Sequence, residues 1–448
     1  MRQMLQFEGF ASQAQAAAEV YRYIAFEVPS RCTRIEVAYH FASPEGSQDA
    51  AVDIGIFDIR GTEPFTGGFR GWSGSDRRTF FVERDRATPG YIPGALPSGT
   101  WSIVLGLYEV PEPGIRYWVT VDLESSTSEL KPRTRPGALP SQSHAAGPVS
   151  ARWFRGDLHS HSVHSDGANT IPEIARFAKL RKLDFLAITD HNTTSHHAEI
   201  DAMRRPPVLL IPGEEVTTYS GHANVWGLRE WTEFRVTSDA EMHRVWKWVA
   251  ERQRPFSINH PKTHGPAWEL ADPGFAIREV WQAPWRWYNW QSVNAWDELL
   301  AAGRRIIPVG GSDAHSVPPA EPKQPHHLGD PTTWLRCEGG LTEQSVLDAI
   351  TAGRTAISES PTGPFVTLED PDGEGRVEAV YRRAEGCDLV FIADGELRHR
   401  VAVATSSGSI AVPAEVRYER YLRAELRVEA PKNREDVRAL SAPIYARS

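Results

Sequence analysis

Cysteine is scarce in this chain. Its 448 residues include only Cys32, Cys337 and Cys387, far apart and odd in number. They exclude a disulfide framework and a cysteine-based zinc site, and read as buried or free thiols of a cytoplasmic protein. Long apolar runs are also missing. Nothing approaches the ~18–20 residues of a membrane span. The opening MRQMLQFEGFASQAQ lacks the apolar core of a secretory signal. Positive charge is in deficit: Lys+Arg 49 against Asp+Glu 58 gives −9. That balance argues against a broad nucleic-acid-binding surface and against an anionic-membrane binder. No G-x-S-x-G elbow occurs, so an activated serine of that kind is not expected.

What the chain has in excess is histidine. Of 16 histidines, 13 fall between His159 and His327. Imidazole is the commonest metal-ligand side chain, so the crowding implies a shared environment. With 40% hydrophobic and 24% charged residues the chain can build real cores. Its length suggests about three domains.

Residues 1–123 are expected to form a β-sandwich-like unit. Arg34 to Tyr39 and Val52 to Ile56 alternate apolar with polar or small residues, as half-buried strands do. Pro44, Gly61, Gly67-Gly68, Pro89-Gly90 and Pro97 supply the turns. Residues 124–150 carry Pro132, Pro136, Pro140 and Pro148 with almost no large apolar residue, and read as a linker. Residues 151–353 change character. Short apolar runs such as Phe185-Leu186-Ala187-Ile188 alternate with amphipathic helices. Thr170/Glu173 and Ser238/Glu241 are capping boxes for two of these, and a third helix is expected from about Asn289 to Gly303. Residues 354–448 return to strands, with Tyr421 to Val428 alternating most clearly.

Metal-capable residues recur where the predicted strands end, which is where an α/β barrel carries its active site. His159 and His161 have the i, i+2 spacing that points two side chains to one face of a strand, and Asp166 follows before a capped helix. Asp190-His191 follows Phe185–Ile188, with His191 a ligand and Asp190 the carboxylate behind it. Glu214 and Glu215 follow another apolar run. If that strand continues they point to opposite faces, so only one serves the site. His222, His260 and the pair Asp313/His315 complete the series. One histidine at a strand end is an ordinary loop residue; five clusters in rhythm imply a metal site. All candidate ligands are N or O, which suits Zn, Mn or Fe. Nine ligands exceed one ion's needs, so two or three divalent ions are expected.

The run H-S-H at 159–161, S-D-G at 165–167, T-D-H-N at 189–192, G-E-E-V at 213–216, N-H-P at 259–261 and G-S-D-A-H at 311–315 resembles the motifs of the PHP (polymerase and histidinol phosphatase) superfamily, in order over about 152–353. The stretches 279–300, 329–334 and 441–445 are similar to its carbaryl-hydrolase-like branch. The resemblance implies an α/β fold: a distorted (β/α)7 barrel, here with flanking β-domains, holding two or three metals at its strand ends. It implies one ion at His159, His161, Glu215 and Asp313, with Glu215 bridging to a second at His260 and His222. A third would sit at Asp166, His191 and His315. It selects Glu215 over Glu214 because the family motif reads G-x-E. Asp166 stands where many members have histidine. His264 rivals His222.

The expected chemistry is hydrolysis by a metal-bridged hydroxide, with Asp190, Glu215 and His222 as catalytic candidates. Lys262 and Arg286 are candidate anion contacts, His264 a further substrate-side candidate, and Trp285 a candidate wall of an aromatic pocket. The leading substrate is a small-molecule phosphoester. A carboxylic ester or carbamate is the alternative, and a non-catalytic regulatory or scaffold barrel the third reading. Neither a nucleic acid nor a membrane is expected as partner.

Overall fold

In the computed structural model, residues 1–43, 50–127, 143–144, 151–263, 265–320, 326–370, 376–430 and 434–446 are described. Most of the expected linker, and His264, lie outside these ranges.

The N-terminal strands pair into two antiparallel four-stranded sheets. One runs in the order Arg2–Ala11, Ile115–Ser125, Cys32–Ala42, Thr79–Glu83; the other in the order Tyr21–Val28, Gly99–Glu109, Ala51–Phe57, Phe69–Trp72. Ile35, Val37, Val119 and Val121 from the first meet Ile54, Ile56, Ile103 and Leu105 from the second in one apolar core. That is sandwich packing, driven by burying the inner face of each sheet. The strand Ala51–Phe57 differs from its expected half-buried form, for it is covered on both faces. Phe57, Trp72 and Val104 pack outward against Val216, Val225 and Met242 of the next unit. Asp53 is buried on that junction and accepts a hydrogen bond from the Tyr219 hydroxyl at 2.7 Å. Gly106 permits the approach, since a Cβ there would stand 2.1 Å from the same hydroxyl.

The central sheet is mixed. Arg152–Asp157, Phe185–Ile188 and Leu209–Thr218 run parallel. Leu209–Thr218 then turns back antiparallel to Gly221–Trp226, which pairs antiparallel with Phe256–Ile258. Phe256–Ile258, Ile277–Gln282 and Ile307–Gly311 are again parallel. The sheet curls until its two ends meet. Gly310 N donates to Thr333 Oγ1 at 2.8 Å, and that hydroxyl donates to Gly310 O at 2.6 Å. Asp313 N donates to His159 O at 2.9 Å and His161 N to Ala314 O at 3.0 Å. The curl therefore brings chain segments about 150 residues apart to one rim. The architecture is mixed α/β with strands dominant, and the regular repeat of a (β/α)7 barrel is not shown. Its interruption is the antiparallel hairpin, where a tight turn at Tyr219-Ser220 replaces a crossover helix.

The helices obey their local signals. Thr170 and Glu173 form the capping box of Ile171–Leu180, whose Ile171, Ile174, Ala175 and Ala178 are buried. At Asp239–Glu251 the Ser238 hydroxyl accepts from Glu241 N, but the Glu241 carboxylate reaches past it to Thr237 N and Oγ1 at 2.8 and 2.9 Å. The reciprocal half of that expected box thus sits one residue early. Asn289–Ala301 ends before Gly303, which adopts φ +86.

Beyond Thr332–Cys337 and Thr355–Ser358 the sheet continues into Arg434–Ser441, Tyr421–Ala430, Asp388–Ala393 and Glu396–Ala402. A three-stranded sheet, Phe365–Glu369, Glu378–Arg382 and Ser407–Ala411, packs against these strands through Val366, Ala379 and Tyr381. The C-terminal strands are therefore hydrogen-bonded to the central sheet, a pairing with no local signature. All three cysteines are buried free thiols. Among the described residues no helix is long and apolar enough to cross a membrane.

Candidate metal centre

The rim formed by the curl gathers side chains from six strands or the loops that follow them, with Glu215 and His222 inside strands rather than at the ends expected. His159 and His161 follow Arg152–Asp157. Their backbone is fixed by Asp157, a fully buried carboxylate that accepts from His159 N at 3.1 Å, Ser312 N at 3.0 Å and Gly329 N at 2.7 Å. One side chain thus ties the first ligand strand to the last. Asp313 and His260 enter from left-handed backbone, φ 54 and φ 27, which non-glycine residues rarely adopt.

Three candidate ligand sets converge. In the first, His159 Nε2 lies 3.3 Å from both Glu215 Oε1 and Asp313 Oδ1. His161 Nε2 lies 2.9 Å from Asp313 Oδ1 and 3.4 Å from Glu215 Oε2. In the second, Glu215 Oε1 faces His222 Nδ1 at 3.2 Å and His260 Nε2 at 3.4 Å, while His191 Nδ1 is 2.9 Å from Oε2. In the third, Asp166 lies 3.6 Å from His191 Nε2 and 3.4 Å from His315 Nε2. His161 stacks on the rings of both His191 and His315, with centroids 4.3 and 4.2 Å apart. Each of these sets contains a group of ligand atoms lying within 4.8 Å of one another.

The donor set fits divalent cations on two observations. Metal–ligand bonds of ~2.1 Å separate neighbouring ligand atoms by about 3.0 Å in octahedral and about 3.4 Å in tetrahedral geometry. The contacts above fall around those values. Secondly, His159 Nε2 and Glu215 Oε2 are buried yet have no hydrogen-bond partner. Such orphaned polar atoms are costly unless a ligand meets them. His159 is turned by its other nitrogen: Nδ1 bonds Glu279 Oε1 at 2.9 Å, the carboxylate–histidine arrangement of metal sites. The other oxygen of Glu279 accepts from His260 N at 3.0 Å.

The electrostatics are those of crowded opposite charges. Burial raises the Glu215 carboxyl, but the His159, His191 and His222 imidazoles outweigh it and hold its pKa well below the ordinary value. Asp313 is likewise held low, against burial, by His159 and His315. Burial lowers His191, yet Glu215 and Asp166 lift it to about 9. His161 is pushed down to about 4 by burial and by its neighbours His315 and His191. The carboxylates stay charged through neutral pH, as cation ligands must.

All nine residues expected as ligands lie on this rim: His159, His161, Asp166, His191, Glu215, His222, His260, Asp313 and His315. Glu214 points to the opposite face, where its Oε2 accepts from Thr232 N at 2.9 Å. Asp190 sits behind the cluster. It accepts from Ser162 N and Oγ and from Ser165 Oγ at 2.6–2.7 Å, and holds their loop in place of His191. Lys262 is buried, with Nζ donating to Gln282 O at 3.0 Å and Asn289 Oδ1 at 3.1 Å, and burial pushes its pKa down to about 8. Trp285 packs on Trp281 and lines a groove toward Arg423 and Glu425, away from the ligands. Arg286 is exposed and takes no part in the contacts that build the rim.

Two residues escaped the sequence reading. Glu279 looks like an ordinary strand acid, and only its partners reveal it. His326 donates from Nδ1 to Asp313 O at 2.9 Å, beside the like bond from His315 at 2.8 Å. It groups with Asp313 and His315, and its Nε2 is a buried orphan. The His326-His327 pair was its signal. His196 and His197 are structural, bonding the carbonyl of Gly213 at 2.9 and 3.0 Å.

No family model matches the chain, and no curated protein matches it. Solved structures do show similarity. A two-domain protein from Bacteroides vulgatus, described as containing a predicted PHP-like metal-dependent phosphoesterase, is 16% identical, with 69% of this chain and 100% of that one covered at a TM-score of 0.37. A protein from Bifidobacterium adolescentis proposed to be a metal-dependent phosphoesterase is 17% identical, with 44% and 95% covered at a TM-score of 0.31. Both scores are below 0.5, so the functional reading rests on the side chains.

Proposed function

We propose that this chain is a metal-dependent hydrolase of small-molecule phosphoesters, from the PHP superfamily its motifs resemble, with residues 151–353 as the catalytic unit. The observation that carries the reading is His159 Nε2. It is buried, oriented from behind by Glu279, and faces two carboxylate oxygens at 3.3 Å without making a hydrogen bond. A divalent cation there would satisfy the nitrogen and would be met by both oxygens.

Two or three ions of the Mn, Zn or Fe type would be held by the three sets above, supplying Lewis acidity and a lowered water pKa. The chain's own residues do the rest. Glu279 keeps the proton of His159 on Nδ1 and leaves Nε2 to coordinate. Glu215 presents Oε1 to His159, His222 and His260 and Oε2 to His161 and His191, so its carboxylate would serve both of the first two sets. Asn259 fixes that carboxylate by donating to Oε1 at 2.8 Å. Gln282 does the same for Asp313 Oδ2 at 2.9 Å. With their carboxylates neutralised by ions, such rims favour an anionic substrate.

The test is nitrophenol release with Mn²⁺ from a phosphomonoester, a phosphodiester and an acetate ester, with His159→Ala as control. Phosphoester turnover that vanishes in the variant is the expected result. Turnover of the acetate alone would replace the reading with a carboxylester hydrolase, and no turnover from a metal-loaded protein would contradict it.

A further inference from the structure

The loop 162–166, which delivers Asp166 to the rim, is gripped from two sides. From below, Asp190 binds Ser162 and Ser165. From above, it is held by a different part of the chain. Arg77, between the N-terminal strands Phe69–Trp72 and Thr79–Glu83, donates from its guanidinium to Val163 O at 2.5 Å and Ser165 O at 3.1 Å. Gly90 meets the same loop. Gly90 N donates to Ser195 Oγ at 3.1 Å, and Gly90 O accepts from Thr193 Oγ1 at 2.9 Å. Ser195 Oγ in turn bonds His164 Nδ1 at 2.8 Å. Only glycine fits there. Its φ is +96, and a Cβ would stand 2.9 Å from His164 O.

The ligands differ in what holds them. His159, His161 and Asp313 are tied into the curled sheet by Asp313 N to His159 O and His161 N to Ala314 O. Asp166 lies in a loop outside the strands. Its carbonyl neighbours Val163 and Ser165 are met by an arginine whose side chain is 23% exposed. A charged donor on two carbonyls is a strong and directional restraint.

We propose that the N-terminal sandwich is a positioning element for one corner of the metal centre, with Arg77 as its positioning residue. The ion at Asp166, His191 and His315 depends on Arg77, and the ion at His159, His161, Glu215 and Asp313 does not. This rests on the metal reading above but not on the identity of the substrate.

The test titrates the apo full-length chain with Zn²⁺ against a chromogenic chelator, for wild type, Arg77→Ala, Arg77→Lys and Asp166→Ala, with thermal melts to verify folding. Arg77→Ala is expected to weaken one class of site by up to ~10–100-fold, the range for losing a partner bonded to a ligand itself, since Arg77 acts one residue away on the Ser165 carbonyl. It should be the class that Asp166→Ala weakens, and Arg77→Lys should restore part of it. If Arg77→Ala fails to fold, the same selective loss in Arg77→Gln carries the test. Unchanged affinities in a folded variant, or equal weakening of every class, overturns the inference while leaving the hydrolase standing. A wild-type chain that takes up no Zn²⁺ overturns both.

Discussion

The groove between helix Asn289–Ala301 and the C-terminal strands gathers acids as the rim does, yet the two regions settle their charge differently. In the groove arginine meets the acids. Arg423 pairs with Asp297 and Glu425, and Arg427 with Glu425 at 2.6 Å and Glu435 at 2.9 Å. Arg400 adds a second partner for Glu435. On the rim, the basic side chains within ion-pair distance of Glu215 and Asp313 among the described residues are all imidazoles, and buried nitrogens and oxygens are left over. A network closed by arginine needs no ligand. One built from imidazole and carboxylate with orphaned atoms calls for a cation. The comparison also explains Trp285: it lines the closed network, so its aromatic surface braces helix and sheet instead of facing the ligands.

The contrast breaks at Glu215 first. Glu215→Gln removes the charge shared between the ligand sets and should cost ~10³-fold or more in turnover, several kcal/mol of transition-state stabilisation. Metal content measured on the same sample should fall with it. Turnover retained at full rate would sink the shared role. In the groove, Arg423→Ala takes the arginine from half-buried Asp297 and leaves fully buried Glu425 with Arg427 alone. Roughly 3–5 kcal/mol of stability should be lost in urea denaturation, with metal content unchanged. A change in metal content would merge the two regions. Removing metal with a chelator should destabilise the wild-type chain by about 3–4 kcal/mol relative to protein at 100–1,000 times the dissociation constant. Glu215→Gln should lose the larger part of this response, keeping what the Asp166 set contributes, and Arg423→Ala should show all of it.

The smallest effect belongs to the junction that joins the sandwich to the rim. Burial pushes Asp53 up to about 6, against the Tyr219 hydrogen bond and the Arg78 charge. The folded state therefore holds a proton that the unfolded chain releases near pH 4. Stability should decline as pH rises from about 4 to about 6, by at most ~1.4 kcal/mol per unit, and then level off. Asp53→Asn should abolish that segment of the slope, as read by thermal melts across the range. An unchanged slope would show that another group carries it.

The gathering of these side chains was legible in sequence because the candidate ligands follow apolar runs at short spacing. His159/His161 and Asp313/His315 announce a shared face by i, i+2 alone. Glu214 and Glu215 parted to opposite faces as strand geometry requires. Glu279 was hidden because its role comes from partners distant in sequence, His159 and His260. The fold was less legible where long-range register decides it. The pairing of Ala356 with Ser441, which continues the central sheet into the C-terminal strands, leaves no local trace. Nor does the covered outer face of Ala51–Phe57, whose Gly55 and Asp53 read as solvent-side residues until Gly71 and Tyr219 are set against them.

The most direct measurement is anomalous scattering from crystals of the full chain grown with Mn²⁺ or Zn²⁺, collected on both sides of the metal edge. Peaks should stand within ~2.3 Å of His159 Nε2 and of the Glu215 carboxylate, with Glu215 between two of them. Crystals saturated with metal that show no peak on the rim would contradict the account.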